Sequence, residues 1–328
     1  MGRLTRYLAA KLGRMAFIMA LVCTLAFTLV SMAPLDPVSA YLGYDRMQIS
    51  PAQEKRIIQR WGLDRPPAER FARWTVNLAS GNMGTSVIYN EPVVQVIAKR
   101  FSASLILMAL AWTFSGILGF FMGIAAGAFP GSLLDRAIRL YAYTLASAPT
   151  FWIAMILLIV LSVNLGWFPV CCAGPLGMPP ESVSFLERLH HLMLPAFTLS
   201  VIGIAQIALH TREKMVEVFH SDFALYAKAL GESRLGITFF HGLRHTLLPA
   251  LTLQFAGFGE LFGGAVLAEQ VFSYPGLGQA TVEAGVRGDV PLLLGIVLFS
   301  SLFVISGNMM ADLLYLAVDP RIRAREGE

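Results

Sequence analysis

The chain has 328 residues, of which 56% are hydrophobic and 14% charged, with a formal net charge of +4. Soluble domains carry about 25% charged residues, so this composition, with a mean hydropathy of +0.63, excludes an ordinary soluble enzyme and points to a helical membrane bundle. The basic balance suits either a nucleic-acid surface or an uneven distribution of Lys and Arg across a bilayer, and the positions of those residues favour the second.

In chain order, the first element is the charge-free run Met15 to Leu35, preceded by Arg3, Arg6, Lys11 and Arg14. About 20 apolar residues cross the hydrocarbon core. The start resembles a signal peptide ending at Ser31-Met32-Ala33, but the apolar stretch is long for one and Pro34 would follow the cut. We read it as a retained span. The segment Asp36 to Arg100 reads as a small folded cap outside the membrane. Ser50 can cap a helix with Pro51 at its first position and Gln53 closing a capping box. Ile57, Ile58 and Trp61 give that helix an apolar stripe, and Gly62 is a plausible stop.

Further charge-free runs are Phe101 to Leu134, Leu140 to Pro180, Leu189 to Thr211 and Val290 to Ala311. The second of these is too long for one crossing. Pro169, Gly174, Pro175, Pro179 and Pro180 mark its latter half as loop. Leu247 to Phe272 is apolar but contains Glu260 and Glu269. The expected fold is therefore all-α integral membrane with six transmembrane helices. Its divisions are 1–35 (tail and first span), 36–100 (cap), 101–320 (five-helix core with an inner loop 212–246) and 321–328 (tail).

Lys and Arg orient the bundle. With the N-terminus inside, fourteen basic residues fall on the inner side, including Arg136, Arg139, Arg212, Lys214, Lys228, Arg234 and Arg244. The short outer loops hold only Arg188 and Arg287. Both termini are then cytoplasmic.

The inner loop is the expected working part. Ser221 can cap a short helix with Asp222 in its first turn and Lys228 near its end, which suits the helix dipole. Gly231 is placed to end it. Phe223, Ala227 and Leu230 fall on one face, and a second helix can run from about Arg234 to Leu248, before Pro249. The apolar, small-residue face either docks into a partner's groove or packs on the chain's own helices; the pattern alone leaves both open. The three cysteines form no disulfide framework, because an adjacent pair strains disulfide geometry. Cys171 and Cys172, with His190 and His191, are read as unpaired loop residues rather than a metal site, and Met309 and Met310 as helix packing.

Several motifs in a shared order resemble permease subunits of the peptide/nickel class of ATP-binding-cassette importers. Arg60-Trp61-Gly62-Leu63-Asp64-Arg65-Pro66 is similar to "LGLDRP", and Gly81-Asn82-Met83-Gly84-Thr85-Ser86 to "GDLGxS" with Asn82 for aspartate. Glu269 to Gly278 matches "EQxFSxPGLG", Asp289-Val290-Pro291 resembles "RDYP", and the chain ends in Asp319-Pro320-Arg321-Ile322-Arg323. Leu225-Tyr226-Ala227, three residues, then Gly231 is similar to the "EAA" coupling motif without its glutamate. Leu35-Asp36-Pro37 and Phe101-Ser102-Ala103-Ser104 depart from the class's "Gly-Asp-Pro" and "LPAT".

The resemblance implies a first permease subunit in a bacterial inner membrane. Phe223, Tyr226, Ala227, Leu230 and Gly231 would contact a cytoplasmic ATPase, with Ala227 and Gly231 permitting close approach. Glu269, Pro275 and Gly276 would form an extracytoplasmic gate or a structural motif. The chain has no Gly-rich phosphate loop followed by Lys and Ser/Thr, so it is not expected to be an enzyme or to bind a cofactor itself; ATP and Mg would sit on two partner ATPases. A second related permease, an extracytoplasmic solute-binding protein and membrane lipid complete the expected partners, with no nucleic acid. Glu260, near mid-membrane, marks the translocation path by default, although a structural glutamate is the alternative. Nickel or a metal chelate and short peptides both remain as cargo, with Glu260 favouring a cation. A secondary transporter or channel acting alone is the competing class; against it stand the single interior acidic residue and the lack of an evident internal repeat.

The topology is checked by cysteine labelling in sealed cells, using Arg60→Cys and Lys228→Cys in a cysteine-free background. Position 60 should react with an impermeant reagent and position 228 should not; outside labelling at 228 would overturn the orientation.

Overall fold

The computed structural model describes residues 2–32, 65–175, 177–179 and 182–318. The expected cap helix at Ser50 to Gly62, the Leu35-Asp36-Pro37 match and the Asp319 to Arg323 ending lie outside these residues. Among the described residues, helices make up nearly all regular structure, and the β pairing is one isolated bridge, Thr85 to Pro92.

Four helices contain stretches long and apolar enough to cross a membrane: Lys11–Met32, Val93–Ala128, Phe185–Phe219 and Val290–Ala311. They belong to α1 (Gly2–Met32), α3 (Val93–Ala128), α6 (Phe185–Phe219) and α12 (Val290–Val318). Two bent pairs raise the number to six if each counts as one span. The first joins α4 (Leu133–Ala146) to α5 (Thr150–Leu157) and its π-helical continuation Leu158–Asn164, with a bend of 113°. The second joins α8 (Arg234–Gly236), a π-helical turn Ile237–Gly242 and α9 (Leu243–Ala256) to α10 (Phe258–Val271), with a bend of 55°. The remaining helices are α2 (Pro67–Ala79), α7 (Asp222–Ala229) and α11 (Leu277–Arg287).

These breaks correct the expected boundaries. The span expected from Leu140 is interrupted at Pro149, which lacks an N–H and pushes its neighbour out of the helical region. The charged stretch around Arg136 and Arg139, placed on the inner side between two charge-free runs, is the start of a helix capped by Ser132, whose hydroxyl accepts from the Asp135 N–H. Conversely, Pro249 does not end a helix: α9 runs through it. Local π adjustments and neighbouring groups absorb such prolines in membrane helices. The break comes instead at Gly257, in a glycine-rich stretch that weakens helical continuity. A capping box of Ser184 and Glu187 starts α6.

The chain packs as two compact units. One contains the described residues up to Ala103 together with Gly276–Ser306, so it holds α1, α2, α11 and parts of α3 and α12. Here Asp289 is fully buried. Its carboxylate accepts from Ser86 Oγ at 2.6 Å, the Ile88 N–H at 3.0 Å and the Leu292 N–H at 3.1 Å. This ties the Gly81 to Ser86 turn to the start of α12. Tyr89 donates to Glu283 at 2.7 Å. Burial, and after it that bond, push the pKa of the Tyr89 hydroxyl up to about 12.

The second unit contains Ser104–Pro275 and the described residues from Gly307. Its centre is the crossing of α3 and α6. A Cβ on Gly119 would lie 2.9 Å from the Ile204 carbonyl, one on Gly123 2.7 Å from that of Ala208, and one on Gly127 2.7 Å from that of Arg212. Small residues at four-residue spacing let two backbones meet this closely without an aqueous hydrophobic drive between helices. Gly123→Val should force the helices apart at an overpacking cost of about 1–3 kcal/mol, whereas Gly263→Ala meets open space. Thermal unfolding in detergent should show a clear loss for the first and none for the second; equal melting curves would remove the crossing as a structural determinant.

Candidate functional site

The inner-loop segment is built from the end of α6 onward. α6 stops at His220, and Ser221 occupies the N-cap position of α7 with extended backbone, although its hydroxyl donates to the Val218 carbonyl rather than capping. Gly231 has φ +90°. Its N–H bonds the Lys228 carbonyl at 3.0 Å, and the Glu232 N–H bonds that of Ala227 at 3.1 Å. This pair of bonds is the two-bond left-handed helix stop that favours glycine. A Cβ there would meet nothing, so the requirement is conformational rather than steric.

α7 divides its residues by size. Ala224 and Ala227 face inward and pack with Ile237 and Phe219. Tyr226 and Leu230 are each 68% exposed and Phe223 40%, against 5% for Ala227. Ala227, expected to permit a partner's close approach, instead lets α7 lie close to its own chain; Phe223, Tyr226 and Leu230 face outward, together with the exposed Asp222, Leu225, Lys228 and Ala229. The small-residue face packs on the chain's own helices, and the large apolar residues lie on the exposed side of α7. Phe223 stacks on His245, with ring centroids 4.8 Å apart.

Two arginines fasten this segment. The Arg234 guanidinium donates to the Ala128 carbonyl at the end of α3 and lies over the Phe219 ring at 4.6 Å. Arg212, on α6, forms a two-pronged pair with the fully buried Asp135 of α4, with Nη2 to Oδ2 at 3.0 Å. Asp135 also accepts from the Gly131 N–H at 2.8 Å. In the sequence, Arg212 and Arg234 stand out only as inner-side charges, and the one signal of Asp135 is an acid within a basic stretch.

The second candidate region is a cleft of about 250 Å³ lined by α3, α6, α9 and α10, with Trp112, Leu199, Gln206, Gln254, Gly257 and Glu260 among its walls. Glu260 is exposed and lies in the first turn of α10, immediately after the Gly257 break. Gln206 Nε2 approaches its carboxylate at 3.4 Å. Gln206 and Gln254 had no sequence signal, since nothing in a helical pattern brings residues 54 apart onto one wall. Glu269 lies elsewhere, fully buried at the end of α10 and accepting from Ser104 Oγ. The Tyr274 N–H closes the following turn onto the Glu269 carbonyl at 2.9 Å. Pro275 follows that turn, and Gly276 occupies the N-cap position of α11. This geometry joins two helices.

Cys171 and Cys172 are disulfide-bonded to each other, which corrects the expectation of unpaired thiols. Cys172 adopts φ +75°, its N–H donates to the Phe272 carbonyl at 2.9 Å, and His191 Nδ1 lies 2.9 Å from the Cys171 carbonyl. The local turn, held from both sides, brings neighbouring sulfurs together.

The sequence pattern of the family described as binding-protein-dependent transport system inner membrane component matches residues 101–324. The chain belongs to that family. It is 33% identical over 302 residues to the oligopeptide transport system permease protein AppB of Bacillus subtilis, covering 92% of this chain and 94% of the relative. It is 35% identical over 334 residues to the di/tripeptide transport system permease protein DppB of Pseudomonas aeruginosa, covering 97% and 98%. The dipeptide transport system permease protein DppB of Escherichia coli K12 is 32% identical over 323 residues, with 93% and 95% covered. This chain is thus a multi-pass permease of the peptide class of ATP-binding-cassette importers, and a transport component by family rather than a catalytic enzyme. The permease's α7 segment and its Glu260 cleft both fall inside the matched region.

Proposed function

We propose that the permease is the first of two related membrane subunits of an ATP-driven importer for short peptides in a bacterial inner membrane, with both termini cytoplasmic. In this reading it forms half of the translocation path, receives cargo from an extracytoplasmic solute-binding protein, and couples through α7 to one of two cytoplasmic ATPases, which alone bind ATP and Mg. The observation that carries the coupling is the split of α7, with Phe223, Tyr226 and Leu230 outward while Ala224 and Ala227 seat the helix on the bundle. An outward apolar helix face fits a hydrophobic groove. The turn at Gly231 fixes the angle at which that face is presented. Peptide relatives at 32–35% identity across nearly the whole chain move the cargo reading from nickel or a metal chelate towards peptides, and the Glu260 carboxylate suits a cationic group of either.

Gly231→Val puts a branched residue at φ +90°, at a local cost of at least about 1 kcal/mol. Membrane insertion should persist while co-purification of the ATPase or cargo-stimulated hydrolysis is lost. Full transport of dialanine by this variant would refute the coupling assignment. Dialanine uptake that continues without any cytoplasmic ATPase would instead support a secondary transporter or channel, and uptake of nickel but not dialanine would reverse the cargo assignment.

A further inference from the structure

We infer that the cleft between α6, α9 and α10 is a subsite for the free amino terminus of the peptide in transit, with Glu260 supplying the countercharge and Gln254 a second acceptor. This rests on the peptide-importer reading and specifies which end of the cargo the membrane path recognises.

Among the described residues, Glu260 is the one charged group lining the cleft; no lysine or arginine faces it there. Its described hydrogen-bond partner is the neutral Gln206 amide, at a long 3.4 Å. A carboxylate with a weak neutral neighbour and an open cleft in front of it retains most of its capacity for a cation. An acidic side chain in the first turn of a helix is itself well placed, so the bent start of α10 holds the charge there at little cost.

The independent observation is Gln254. Its side chain is almost entirely buried, at 6% exposure. Nε2 donates to the Trp112 carbonyl and, at 3.2 Å, to Ser115 Oγ. A backbone carbonyl only accepts, so the amide cannot turn around without setting two acceptors face to face. That leaves Oε1 as a buried acceptor with no partner, on a residue that lines the same cleft as Glu260. Buried acceptors are ordinarily satisfied. The missing partner is a donor, and an ammonium supplies three. Gln254 lies three residues before Gly257, where α9 and α10 meet at 55°, so a change in that bend alters access to Oε1. The cleft thus has an exposed carboxylate and a buried neutral acceptor on two of its lining residues. A primary ammonium carries both the charge and the donor count for such a pair.

The test measures initial uptake of radiolabelled dialanine by the complete transporter, with the same binding protein throughout and rates normalised to assembled complex, between pH 6 and 9. A peptide α-amino group titrates near about 7.7–8.0, so the ammonium is present at the acid end and lost at the alkaline end. Wild-type uptake should fall as pH rises through that range. Glu260→Gln should lower uptake at pH 6 by about tenfold, the value of one hydrogen bond to a charged group, and flatten the profile. Glu260→Asp should restore both the rate and the slope. Gln254→Met should lower the rate at pH 6 but keep the slope, since Glu260 remains. Glu260→Gln with unchanged rate and slope would overturn the subsite, as would loss of rate with the wild-type slope retained. A wild-type complex that takes up no dialanine at any pH would refute the peptide-importer reading itself.

Discussion

The close crossing of α3 and α6 is the constraint on which the second unit depends. Gly119, Gly123 and Gly127 bring the two backbones together until a Cβ would strike the opposing carbonyls. That separation sets the positions of everything at the crossing's end. It puts Arg212 where it meets Asp135 of α4, and it puts the Ala128 carbonyl where Arg234, from beyond α7, can reach it. Removing one partner of a buried ion pair costs about 3–5 kcal/mol because the other is left uncompensated. The pair therefore resists displacement of α4 from α6. With α7 fastened on one side by Ala224 and Ala227 and on the other by Arg234, the short helix is held as part of the bundle.

The same helix that carries Arg212 also carries Leu199 and Gln206 into the cleft wall. A force on α7 therefore reaches the cleft through one continuous element, α6, rather than through a chain of loosely packed loops. Packed elements of this kind move as bodies between discrete arrangements. The bend between α9 and α10, flanked by Gln254 on one side and Glu260 on the other, is the place in the unit where such a movement changes the relation of the two polar groups. Two fixed ends and one bend make a physically economical coupling of the proposed docking face to the proposed peptide subsite.

Much of the secondary structure was legible in the sequence and much of the packing was not. Charge-free runs located the apolar spans, and Gly231 was read as a helix stop from its spacing alone. Neither bend is legible in hydropathy, which is blind to backbone geometry: Pro149 and Gly257 both lie inside apolar runs. Pro249 misleads in the other direction, since its residue type suggests a stop while the surrounding bundle carries the helix through it. Residues 77 apart, such as Asp135 and Arg212, share no periodic signal. Ala227 shows a subtler limit: the helical pattern gave its position on α7 but not which side faces the bundle, because small residues suit both an internal seat and a partner's approach. Gln254 was invisible for the same reason, as one polar residue in an apolar helix until its neighbours were known.

The central claim is that α7 and α6 move together. Spin labels at Lys228→Cys and Phe197→Cys, in a background without the natural cysteines, measure the separation between α7 and the cleft-bearing part of α6 in the assembled importer. A rigid link predicts the same distance distribution in the nucleotide-free and ATP-bound states, while the complex as a whole changes conformation. A distribution that shifts or broadens on ATP binding would show that α7 swings independently of α6, and would contradict the rigid link from docking face to cleft.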